Sequence, residues 1–126
     1  MSTNTYYVLS ALDSSKQYAI CSYYLDKAAT QPASQPLRIP TNAGACLIGQ
    51  ADGSELLLMG TVFKKLGQAP ALNASNFTPT NDDGFVNITM PTQDVVTKGV
   101  ILLFSNVGPV ASIYPSSDPQ VVNGDE

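Results

Sequence analysis

The chain has 126 residues, only 13% of them charged, and a formal net charge of −4. That length favours one domain, which buries roughly two-thirds of its unfolded surface and so needs neither metals nor disulfides to hold a core. The acidic balance excludes a nucleic-acid surface, which needs clustered Lys and Arg; among the basic residues only Lys64 and Lys65 are adjacent.

Thr5–Leu12 (TYYVLSAL) and Gln17–Leu25 (QYAICSYYL) flank the polar stretch Asp13-Ser14-Ser15-Lys16 and predict a β-hairpin. A two-residue loop at Ser14-Ser15 sets Tyr6 opposite Tyr23. Side chains alternate faces along a strand. One face therefore holds Tyr6, Val8, Leu12, Ala19, Cys21 and Tyr23, and the other Tyr7, Leu9, Ala11, Tyr18, Ile20 and Tyr24. Neither face is predominantly polar. Asp26–Thr41 carries Pro32, Pro36 and Pro40. Proline lacks a ladder donor, so this segment is expected as a long extended loop or sheet edge.

Ala45–Phe63 (ACLIGQADGSELLLMGTVF) places two apolar runs on either side of Asp52-Gly53, a dipeptide suited to a type I′ turn. It predicts a second hairpin, with Ile48 opposite Leu57 and Leu47 opposite Leu58. Cys46, Ile48, Leu57 and Met59 then share one face, and Ala45, Leu47, Leu56, Leu58 and Val62 the other. A sheet with one wet side alternates apolar and polar residues; this stretch does not. It is expected either to lie centrally with both faces covered or to meet another subunit.

Lys64–Asp83 is a second long connection, with Pro70 and Pro79 and a short helical turn expected over Ala69–Asn76. Gly84–Met90 (GFVNITM) alternates cleanly and predicts a half-buried strand. Gly99–Ser105 (GVILLFS) is apolar on both faces and is expected to be central. Asn106–Pro109 turns the chain into a last strand at Val110–Tyr114. The expected fold is all-β: an antiparallel sandwich or barrel of about seven strands with two long proline-containing loops. Residues 1–114 form a single β-domain, and 115–126 a polar, acidic C-terminal tail.

Chemistry finds few footholds. There is no histidine, which removes the commonest general base, the usual catalytic triads and most catalytic zinc sites. Cys21 and Cys46 lack a CxxC partner and are expected as buried free thiols. Asp82, Asp83 and Asp94 resemble a loop donor set for calcium. The EF-hand spacing is absent, however, and Asn81-Asp82-Asp83-Gly84 is a common turn solution. Asn73, Asn76 and Asn87 fit the N-glycosylation pattern, which carries weight only in a secreted chain. No catalytic residue, metal or cofactor is expected, and the chain is not expected to be an enzyme.

The tyrosines matter more. Tyr6-Tyr7 and Tyr23-Tyr24 are adjacent pairs, so each pair sends one ring to each face of its strand. One ring enters the core, and the other suits an interface, apolar in the body and wet at the tip. The leading expectation is a structural protein that forms homo-oligomers or decorates a larger assembly. A capsid-decorating or tail component of a virus or phage suits this composition. Its expected interface residues are Tyr6, Val8, Tyr23, Leu57 and Met59. The alternative is a small lectin-like module that takes a glycan at Asn76, Asn81, Asp82 and Asp83, with a tyrosine to stack on. The N-terminal stretch MSTNTYYVLSALDSSK lacks a basic n-region and a long apolar h-region. Synthesis in the cytoplasm without a signal peptide is expected, followed by incorporation into a particle. No apolar run approaches the length of a membrane helix, so no membrane insertion is expected.

Overall fold

Period-two burial sorts this chain into strands of two sheets, seen in a computed structural model that describes residues 3–65, 77–106, 112–116 and 119–124. The strands are β1 (Thr5–Leu12), β2 (Ala19–Tyr24), β3 (Leu37–Arg38), β4 (Ala45–Gln50), β5 (Leu56–Lys65), β6 (Phe77–Pro79), β7 (Val86–Thr89), β8 (Thr97–Asn106), β9 (Ile113–Pro115) and β10 (Gln120–Val122). The first sheet runs β2-β1-β4-β7 and the second β3-β10-β8-β5-β6, with β9 also paired to β8. Among the described residues there is no helix. The two sheets do not close into a barrel, and the arrangement is sandwich-like. One buried cluster draws Val8, Ile48 and Val86 from the first sheet and Leu102, Phe104 and Val121 from the second.

Both sheets are mixed, which corrects the all-antiparallel expectation. β1 runs parallel to β4, and β10 parallel to β3. The expected second hairpin is also corrected. β4 and β5 belong to different sheets: Ile48 pairs with Tyr6 and Val86, while Leu57 pairs with Ser105. A turn does form at Asp52-Gly53, but it is not the expected type I′: Gly53 has φ +87° while Asp52 keeps a negative φ. The residues around it are wired elsewhere. Ala51 N–H donates to the Val8 carbonyl (2.8 Å) and Glu55 N–H to the Ser10 carbonyl (2.8 Å). The turn thus carries the chain from one sheet to the other. β4 and β5 each have strand neighbours on both edges, but their apolar residues are not covered on both faces: Leu57 of β5 is 44% exposed.

The first hairpin does form, in a different register. Val8, not Tyr6, pairs with Tyr23, and Leu12 with Ala19. The cause is Asp13. Its buried carboxylate accepts from the Ser15 hydroxyl (2.7 Å) and from the Gln17 and Tyr18 amides (3.0 and 3.2 Å). That enlarges the loop to residues 13–18. The slip is by two residues, so every side chain keeps its face.

The proline-containing stretch 26–41 holds a short edge strand, β3, whose Leu37 is fully buried, as is Ile39 beyond it. The helical turn expected over Ala69–Asn76 lies outside the described residues. The stretch 115–126, expected as a polar tail, instead supplies β10 and the buried Asn123. The Asn123 amide donates to the Pro91 and Asp94 carbonyls (both 2.7 Å), and its oxygen accepts from Val96 N–H (2.7 Å).

Candidate functional site

The two tyrosine pairs divide as alternation requires, but the ring expected outside is the one inside. Tyr6, Val8 and Tyr23 are 6%, 0% and 4% exposed and belong to the core. They offer no area to a partner, which corrects their assignment as interface residues. The Tyr6 hydroxyl donates to the Arg38 carbonyl. Burial, with a smaller contribution from nearby Cys46, pushes its pKa up, against the bond to Arg38. Cys21 and Cys46 are not joined in a disulfide, and burial pushes Cys46 up to about 12. A thiol held so far from ionisation is a packing residue rather than a nucleophile.

Tyr7 and Tyr24 face outward and pair across β1 and β2. On the other side of Tyr7 lies Gly49 of β4, in register with it. A side chain on Gly49 would collide with Phe85, whose ring comes within 2.6 Å of the position its Cβ would take. The bare backbone at Gly49 is therefore the seat of the Phe85 ring. Tyr7 presses edge-on against that ring, centroids 5.7 Å apart at 70°. Asn81 fixes the approach. Its carboxamide oxygen accepts from Asp83 N–H (2.9 Å) and Phe85 N–H (3.0 Å).

Beside this aromatic pair lies a cleft of about 500 Å³, lined by Tyr7, Lys27, Gln50, Asp52, Asp83 and Phe85 and by the backbone of the Asp52-Gly53 turn. Three loops build it. The first hangs from the end of β2. The Asp26 carboxylate accepts from the Thr30 and Gln31 amides (both 2.9 Å) and from the Thr30 hydroxyl. These bonds, the Thr30 hydroxyl foremost, hold the Asp26 pKa down. The second is the Asp52-Gly53 turn, stitched to the first by Asp52 N–H donating to the Lys27 carbonyl (2.8 Å). Ser54 Oγ locks it further, 2.9 Å from the Ala51 carbonyl and 3.1 Å from that of Val8. The third is the turn through Asp83 and Gly84.

Of the expected ligand-binding residues, only Asp83 lines this cleft. Asn81 serves the turn, Asp82 is exposed beside it, and Asn76 lies outside the described residues. The reading from sequence missed Lys27 and Phe85. A glycine inside a strand marks close backbone approach, so Gly49 was the available signal for Phe85. Among the described residues, no group of three or more Cys, Asp or Glu is placed to hold a metal ion.

The outer face of the second sheet differs in kind. Registered rows run Leu57–Ser105–Ile113, Gly60–Leu103–Pro115 and Val62–Ile101. None of these residues is charged. Leu57, Ile101 and Ile113 are 44%, 44% and 57% exposed, and Met59, in the bulge of β5, is half-buried. Leu57 is the one expected interface residue that stands well clear of the core. The chain matches no protein-family model, no curated protein and no solved structure. No helix among the described residues is long and apolar enough to cross a membrane.

Proposed function

We propose that this protein is a non-enzymatic assembly module whose copies associate through the outer face of the second sheet. The observation that carries the reading is the uncharged apolar surface around Leu57, Ile101 and Ile113. Two copies of a chain with net charge −4 repel at long range. They meet at least cost where neither carries charge, and the rows Leu57–Ser105–Ile113, Gly60–Leu103–Pro115 and Val62–Ile101 meet that condition, with the register pair Lys64–Gly99 two residues further along. A second copy is thus the occupant that fits it best.

The magnitudes set the character of the contact. Burying the exposed part of these three side chains on each of two copies contributes about 6 kcal/mol, while association costs about 4–15 kcal/mol in lost freedom. The pair contact alone is therefore weak and concentration-dependent. It becomes effective when repeated through a larger assembly, where linked contacts multiply. A structural component of a particle works in that regime.

Light scattering across a dilution series tests the reading. Mass should rise with concentration in the unmodified protein. Ile113→Asp should hold it at the monomer value while the melting temperature stays nearly unchanged. A monomer at every concentration, or an Ile113→Asp variant that associates as before, would overturn it.

A further inference from the structure

We infer that the cleft between Phe85 and the Asp52-Gly53 turn is a binding site for an uncharged saccharide. It lies on the first sheet and does not depend on association through the second. A saccharide binds where a ring meets its C–H face and polar groups meet its hydroxyls. The cleft offers both. Phe85 is half-exposed, and its ring is fixed before any ligand arrives. It rests on Gly49, is held edge-on by Tyr7, and is positioned through its amide by Asn81. Binding to such a platform costs little ordering. At about 500 Å³ the cleft falls in the usual range for small-ligand sites.

The polar rim points to hydroxyls. Asp52 and Asp83 accept, and Lys27 donates. Among the described residues, none of these three side chains is engaged in a hydrogen bond or ion pair. A sugar hydroxyl donates and accepts at once, and charge-assisted bonds to such groups are the strong ones. The charges also discriminate. Two carboxylates against one ammonium oppose an anionic ligand such as a sulfated or phosphorylated sugar. The same balance, like the aromatic pair, attracts a cationic peptide, which is the competing occupant. A neutral, polyhydroxylated ring satisfies all three.

The test uses the full chain on an array of neutral oligosaccharides, with amide chemical shifts followed on titration of any hit. Saturable binding should move the amides of Gly53, Gly84 and Phe85 and should change little with salt, since the ligand carries no charge. Asp83→Ala should weaken it about tenfold or more, as loss of a charge-assisted bond does. The Asp83 side chain is exposed, so this variant keeps its fold. Phe85→Ala should abolish binding, and Asp94→Ala, in a loop outside the cleft, should leave it unchanged. Silence across the array would overturn the inference. So would binding that survives Asp83→Ala, shifts confined to another surface, or preference for Lys- and Arg-rich peptides over every neutral glycan.

Discussion

Tyr6 and Tyr7 are chain neighbours of the same chemistry, and the fold uses them in opposite ways. Tyr6 is sealed into the core with its hydroxyl on the Arg38 carbonyl. Tyr7 stands on the outer face, where it braces Phe85 over Gly49. The same division runs along β1, with Val8 and Ser10 inward and Leu9 and Ala11 outward. One face of this strand holds the protein together, and the other is free to meet a ligand. Residue type does not decide which is which. The decision comes from what the neighbouring strands bring to each side.

The sharpest way to break the comparison is to truncate each ring. Tyr6→Ala should cost about 3–5 kcal/mol, as large-to-small core changes do. Tyr7→Ala should cost about 1 kcal/mol, the worth of an aromatic edge contact. Urea midpoints of the two variants give the ratio directly, and equal costs would erase the distinction. A smaller effect separates ring from hydroxyl. Tyr6→Phe keeps the packing but leaves the Arg38 carbonyl without its donor, at about 1–2 kcal/mol. A neutral outcome would mean that the ring alone counts.

The smallest effect sits at the end of β1 and depends on pH. Burial pushes the Asp13 carboxyl up, but the hydrogen bonds from Ser15, Tyr18 and Gln17 outweigh it and hold the pKa at about 2. An unfolded Asp titrates near pH 3.9. The folded state thus binds a proton less readily than the unfolded one. The contribution of Asp13 is complete above about pH 4 and is lost as pH falls towards about 2. Denaturation midpoints of the unmodified chain and Asp13→Asn should differ at neutral pH and converge across that window. A constant gap would assign the loop's stability to its backbone.

Much of the local structure was legible in the sequence. Alternation in TYYVLSAL and GFVNITM marked β1 and β7, and the two-sided apolar run GVILLFS marked a central β8. The pairing of β4 and β5 was not legible. A turn dipeptide reports local backbone conformation only, and Asp52-Gly53 turns the chain equally well within a sheet or between two. Parallel pairing of β1 with β4 leaves no local signature at all. Nor could the pattern choose the inward face of β1, because both faces are apolar. Of the cleft, Asp83 was legible as a loop carboxylate. Lys27 and Phe85 meet it only because three loops, distant in sequence, converge.

Among the described residues the short strand β3 has one sheet neighbour, β10, and Ile39 beyond it donates its amide to the Val122 carbonyl. Residues 37–39 therefore wait for residues 120–122, far along the same chain. Until residues 120–122 emerge, Leu37 and Ile39 have no ladder to dock on, and both are fully buried in the finished protein. Closure across so long a span is slow, so the nascent chain carries these aliphatic side chains exposed until that span has been made. That interval is when it is most open to clumping.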